Sequence, residues 1–391
     1  MQSFNPPQRY LMGPGPSDIH PRVLAAMGRP TIGHLDPAFQ CLMEEIKAGL
    51  RYAFRTENAL TFPVSAPGSA GMECCFVNLV EPGDKVVVVQ NGAFGGRMKE
   101  NVERAGGVPV MVTFGWGMPI DVDVVARALK DHPDACMLAF VHAETSTGVT
   151  APAEALCALA RQHDCLTIVD CVTSLGGSTL EIDAWSVDAA YSGSQKCLSC
   201  PPGISPVTFS DRAAAKVKAR KTKVQSWFLD LSLVMAYWDG GEGGARTYHH
   251  TAPVNALYGL HEGLVMLMEE GLEAAQQRHK NMHEKLKAGL EAIGLNLIVP
   301  KEHRLAQLNT VAVPEGIDEA AVRAYILDKY GLEIGAGLGS LAGKVWRIGL
   351  MGTSASDMHV MLCLTALEDA LKVQQYKIPD GAGIAAAMAV G

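Results

Sequence analysis

Between Leu60 and about Arg212 the chain alternates short β-rich runs with helical stretches, and this alternation restricts the fold more than any other feature. The runs at 84–90, 108–113, 136–142, 165–170 and 207–209 are dominated by Val, Ile, Leu and other apolar residues. Helical spacing fills the gaps, as at 121–130 and 153–163. Near-continuous apolar strands joined by helices predict an α/β fold with a mainly parallel sheet covered on both faces. Ligands of such sheets bind at the carboxyl ends of the strands.

The flanks are organised differently. Residues 1–20 are rich in Pro and Gly, including Gly13-Pro14-Gly15-Pro16, and should form an extended arm. Apolar residues recur at helical spacing through 21–55, and again through 253–270, where Gly271 can end the helix. A helix at 272–293 leads into strand 310–313, helix 318–329, strands 332–334 and 344–350, and helix 357–371. That order predicts a smaller α+β unit. The Ala/Gly-rich tail after Asp380 reads as a short helix or a disordered end. At 391 residues the chain exceeds what one core usually holds. The expected organisation is an arm (1–20), a large domain (21–270) and a small C-terminal domain (271–391).

Composition narrows the function. A formal charge of −8 argues against general nucleic-acid binding, which needs a basic face. No apolar run approaches the ~20 residues that cross a bilayer, and the opening MQSFNPPQRY has no leader-like pattern, so a cytoplasmic protein is expected. The ten cysteines are scattered. Cys197 and Cys200 form a lone CxxC, half of a zinc ligand set, and read as packing residues, so no metal site is expected.

The chemistry centres on Tyr191-Ser-Gly-Ser-Gln195-Lys196-Cys-Leu-Ser-Cys-Pro-Pro-Gly203. Lys196 sits among small residues with no nearby carboxylate, a setting for an amine nucleophile that condenses with a carbonyl. Pyridoxal phosphate is the cofactor that most often uses such a lysine. It also calls for an acid at its ring nitrogen, donors for its phosphate and an arginine for the substrate carboxylate. Asp170 ends an apolar strand, where a carboxylate needs a cation or donor; it is either that acid or the cap of a turn. Gly68-Ser69-Ala70 lies after a β-like run and before an apolar helix at 72–79, where backbone N–H groups can hold phosphate. Phe94 is either a ring-stacking aromatic or a core residue. Thr145, in Glu144-Thr-Ser-Thr-Gly148, brings a hydroxyl to a strand end. Arg347 interrupts an apolar strand and suits either a substrate carboxylate or an edge ion pair. Tyr248-His-His-Thr251 lacks metal-ligand spacing and reads as a phosphate contact through Tyr248 and Thr251.

Together these residues resemble the class V aminotransferases, specifically the alanine-glyoxylate and serine-pyruvate branch of the fold type I pyridoxal-phosphate enzymes. The resemblance runs from Leu11-Met-Gly-Pro-Gly-Pro-Ser17 to beyond Gly343-Lys-Val-Trp-Arg-Ile-Gly349. It implies ping-pong transfer of an amino group from a small amino acid, alanine or serine, to glyoxylate or pyruvate. It further implies Thr145, Ser174 and Gln195 around the cofactor and Gly15 at the substrate. A homodimer is also implied, in which the arm wraps the partner and Tyr248 and Thr251 reach the partner's phosphate. Phe94 and Ser69 depart from the Trp and His of the animal enzymes. The related ureidoglycine-glyoxylate enzymes carry Asn before His-His-Thr and Gln at the position of His34; this chain has Tyr248 and His34. A lyase such as a cysteine desulfurase is the alternative of another reaction class, but the loop Gly335-Ala-Gly-Leu-Gly-Ser340 holds no cysteine.

Overall fold

A computed structural model describes residues 1–240 and 246–390. The alternating region forms a seven-stranded sheet. Its spatial order is Leu60–Val64, Ser205–Phe209, Ala189–Tyr191, Leu166–Asp170, Ala135–Val141, Lys85–Gln90 and Val108–Thr113. All neighbours run parallel except Ser205–Phe209, which is antiparallel to both of its partners. The mainly parallel α/β reading is therefore correct. Val86, Val87, Val88, Ile168 and Val169 are fully buried, because helices cover both faces.

Two local expectations need correction. The helix placed at 72–79 begins at Gly68 and runs Gly68–Leu79, so Gly68, Ser69 and Ala70 form its first turn rather than a loop before it. Pro67 takes the N-cap position, and its ring cannot continue a helix backwards. Strand 332–334 shrinks to Leu332–Glu333, which pairs in parallel with Tyr10–Leu11 of the arm.

A second core gathers Met12, Leu286, Leu290, Ile326, Trp346, Ile348 and Leu364. Its sheet is antiparallel, with Val345–Gly349 between Leu308–Ala312 and Gly335–Ala336. Helices Leu272–Ala292, Glu319–Tyr330 and Asp357–Val373 pack around it, and the tail forms helix Ala382–Ala389 against the first of these. Among the described residues, no helix is long and apolar enough to cross a membrane.

Candidate active site

Lys196 lies in the loop that follows Ala189–Tyr191 at the carboxyl edge of the large sheet. Small hydroxyl residues fold this loop by bonding to backbone. Ser194 Oγ donates to Pro201 O (2.6 Å), Ser192 Oγ to Cys171 O (3.0 Å) and Ser205 Oγ to Ser192 O (2.6 Å). The lysine is 8% exposed. Burial pushes its ammonium down to about 8, and the charges of Arg347 and Arg97 act in the same direction, while Asp170 opposes them. At pH 7 about a tenth is then the free amine, far more than for an ordinary lysine.

The arm lies across this lysine. Lys196 Nζ donates to the Pro14 carbonyl, Ser17 Oγ to Lys196 O (2.7 Å), and Ser17 N to Gln195 O (2.9 Å). Gly15 has a positive φ of 110°, and a Cβ there would come within 2.5–2.8 Å of Lys196 Nζ, Cδ and Cε. The backbone conformation calls for glycine, and a Cβ would also displace the end of the Lys196 side chain. From Tyr10 onward the arm is fixed to its own chain, through Leu332–Glu333 and through Asp18, whose carboxylate meets His359 Nε2 at 2.6 Å.

Asp170 ends Leu166–Asp170 and is 2% exposed. Oδ1 accepts from Val172 N and Oδ2 from Tyr191 OH, both at 2.8 Å. Burial raises its pKa to about 7, and these two donors restrain the rise. Tyr191 is its register partner across the sheet.

The Gly68 helix has no side-chain cap, so the Gly68 and Ser69 amides of its first turn are left as donors, while Ala70 N already donates to Pro67 O (2.7 Å). Gly68 itself packs against the Ser192 carbonyl and Gly193. Ser174 Oγ and Gln195 Oε1 are buried and have no partner among the described residues. Phe94 stands in the first turn of helix Ala93–Arg104, with the Arg97 guanidinium 4.7 Å from its ring centroid.

Arg347, 6% exposed, donates from Nε to Ala336 O (2.7 Å) and from Nη1 to Thr145 O (3.0 Å), which leaves Nη2 for a ligand. Burial lowers its pKa to about 10, and Glu144 opposes that shift. No carboxylate forms an ion pair with it among the described residues. Tyr248 (65% exposed) and Thr251 face outward instead of toward Lys196 of the same chain. Between them His250 Nε2 reaches Ser65 Oγ at 2.7 Å. Cys197 and Cys200 are buried, and burial pushes both thiols up to about 12, far from a nucleophilic thiolate.

Three participants were not foreseen from sequence: the Pro14 carbonyl, the Tyr191 hydroxyl and Glu144. The only signal for Tyr191 is its place at a strand end beside Lys196.

A lysine of lowered pKa beside a buried aspartate at the carboxyl edge of this sheet, with orphaned Ser174 and Gln195 and an uncapped helix N-terminus, fits pyridoxal phosphate and the fold type I enzymes that use it. The family model described as aminotransferase class-V matches residues 9–354, and the chain belongs to that pyridoxal-phosphate-dependent family. It is 42% identical to a rabbit (Oryctolagus cuniculus) alanine--glyoxylate aminotransferase over 94% of this chain and 93% of that protein. The crystal structure of an alanine--glyoxylate aminotransferase from Nostoc sp. is 47% identical, covering 95% of this chain and 97% of the other, with a TM-score of 0.92. A ureidoglycine-glyoxylate aminotransferase structure from Bacillus subtilis covers 100% and 99%, at 37% identity and a TM-score of 0.96.

Proposed function

We propose that this enzyme moves the amino group of a small monocarboxylic amino acid, alanine or serine, to glyoxylate, giving glycine and a 2-oxo acid. One observation carries the substrate class: Arg347 is buried, keeps a free Nη2 and has no carboxylate partner among the described residues, as a single carboxylate anchor requires.

Pyridoxal phosphate, when bound, supplies an aldehyde for the amine and an electron sink for charge at the substrate Cα. Asp170 would hold its ring nitrogen, Phe94 its face, and Gly68, Ser69 and Ala70 its phosphate, with Thr145, Ser174 and Gln195 around it. Lys196 would hold the cofactor at rest and then, as the free amine, take the proton from the substrate Cα. Its lowered pKa suits it to that work near neutrality. Arg347 orients the donor and then the acceptor by the same carboxylate, so one site serves both halves. Gly15 and the Pro14 carbonyl keep the arm close over the lysine and limit water there.

The same reading makes the protein a cytoplasmic homodimer. Outward-facing Tyr248 and Thr251 would complete the phosphate site of the neighbouring copy, and its ten free cysteines suit a reducing compartment. It also assigns residues 1–20 to the arm, 21–270 to cofactor binding and 271–391 to the small domain. Light scattering of the purified protein reads the oligomeric state, and glycine formation from glyoxylate with each donor reads the activity. The near-complete likeness to the Bacillus subtilis structure favours ureidoglycine as a second donor. Against it, His34 Nδ1 lies 3.0 Å from Tyr237 OH, and its ring centroid is 5.5 Å from that of Tyr248. Competition between (S)-ureidoglycine and L-alanine for glyoxylate separates the two readings.

A further inference from the structure

Helix Ala93–Arg104 begins at Gly92, which has no side chain to cap it. A different loop, far away in sequence, supplies the cap. Glu144 Oε2 accepts from Phe94 N (3.2 Å). Ser146 Oγ accepts from Ala93 N (2.9 Å) and donates to Glu144 Oε1 (2.6 Å), which also accepts from Ser146 N (3.0 Å). Gly92 is small because of this arrangement: a Cβ there would lie 2.5 Å from Ser146 Oγ and run into the Glu144 side chain.

Glu144 is wholly buried. A carboxylate so placed is expensive unless it is fully hydrogen-bonded and has a counter-charge nearby. The donors just named supply the first condition, and the helix N-terminus adds positive partial charge. The second is Arg347, which attracts Glu144 across the loop without bonding to it directly and donates instead to the carbonyl of the adjacent Thr145. One loop therefore touches the ring-bearing turn of the large sheet's helix on one side and the guanidinium from the second core on the other.

We infer that Glu144 is a positioning residue: through the loop 144–146 it fixes the Phe94 ring for cofactor stacking and holds the Arg347 guanidinium in place for the substrate carboxylate. The inference rests on the roles given above to Phe94 and Arg347. Glu144 touches neither ligand and acts only through these two side chains.

Two substitutions separate the bond to Phe94 N from the charge; the amide of a Gln that keeps this bond would turn its N–H toward Ser146, whose N–H then loses its acceptor. Glu144→Gln keeps an acceptor for the Phe94 N–H but removes the negative charge facing Arg347. Its cofactor dissociation constant should stay within about twofold of wild type while the donor KM rises roughly tenfold at nearly constant kcat. Glu144→Ala removes both functions, and the cofactor dissociation constant should also rise roughly tenfold. Cofactor affinity is read by titrating cofactor-free protein and following its absorbance. If Glu144→Ala does not fold, Ser146→Ala tests the cap through the lost bond to Ala93 N, with the same weakening of cofactor binding expected. A wild-type KM in Glu144→Gln, or wild-type cofactor affinity in the variant that loses the cap, overturns the inference. A wild-type enzyme that binds pyridoxal phosphate but transfers no amino group would refute the proposed function. The cofactor titrations would still decide the effect of Glu144 on Phe94.

Discussion

Replacing Tyr191 with Phe removes one oxygen from the core, and with it the donor that Asp170 Oδ2 accepts at 2.8 Å. A hydrogen bond to a buried charge is worth about 1.5–3 kcal/mol, and about 1.4 kcal/mol corresponds to one pH unit of pKa. The Asp170 pKa, already near 7, should therefore rise by about one to two further units. The carboxylate opposite the ring nitrogen would then be mostly protonated at neutral pH. Because the wild-type group is already about half protonated at pH 7, pyridoxal phosphate should bind the cofactor-free variant roughly 5- to 50-fold more weakly. Stability gives an independent reading. In the unfolded chain Asp170 titrates near 3.9. In the folded, cofactor-free protein it keeps its proton until about pH 7. Its contribution to stability is therefore full below about pH 4 and is lost as pH rises through 7. In Tyr191→Phe that loss should continue to about pH 8–9. Urea unfolding of both cofactor-free proteins from pH 5 to 9, together with cofactor titration at pH 7, measures both effects. Equal affinities and superimposable pH profiles would refute the account of Asp170.

Other consequences can be checked separately. Lys196→Ala should lower transamination by at least roughly 10³-fold without loss of fold, measured as glycine formation alongside circular dichroism. In the cofactor-free protein, Lys196 should react with an amine-directed acylating reagent with a midpoint near pH 8, whereas surface lysines react near their ordinary value; peptide mapping resolves them. Gly15→Ala must both hold a φ of 110° and place a Cβ against the Lys196 side chain, so it should weaken cofactor retention and activity together. Arg347→Lys loses the bonds to Ala336 O and Thr145 O and the free Nη2. The KM values for donor and acceptor should both rise roughly 10- to 100-fold, a shared change that steady-state kinetics with each substrate varied will reveal.

The framework of the fold was legible because buried parallel strands have a simple signature. The Val-rich run Lys85–Gln90 and the strand ending in Asp170 stand out as apolar stretches bounded by turns. Lys196, Asp170 and Arg347 drew notice for the reverse reason, being charges in surroundings that do not favour charge. What escaped has no local pattern. Ala189–Tyr191 is three residues long, too short for periodicity to register. The pairing of Tyr10–Leu11 with Leu332–Glu333 joins two-residue segments from opposite ends of the chain. The start of the Gly68 helix was hidden because Gly and Ser serve turns and helix first turns equally well. The role of Glu144 depends on bringing residues 93–95 against residues 144–146. The bare glycine at the helix start is its only trace in the sequence.

The most direct test of the account is a single half-reaction. The cofactor-loaded enzyme is mixed with excess L-alanine without any oxo acid, and pyruvate, free ammonia and the visible absorbance of the lysine-bound cofactor are followed together. The account predicts about one pyruvate per subunit, no ammonia and loss of the visible band, which glyoxylate then restores as glycine appears. Ammonia released continuously, or neither pyruvate from alanine nor hydroxypyruvate from serine in the same assay, would contradict amino transfer centred on Lys196.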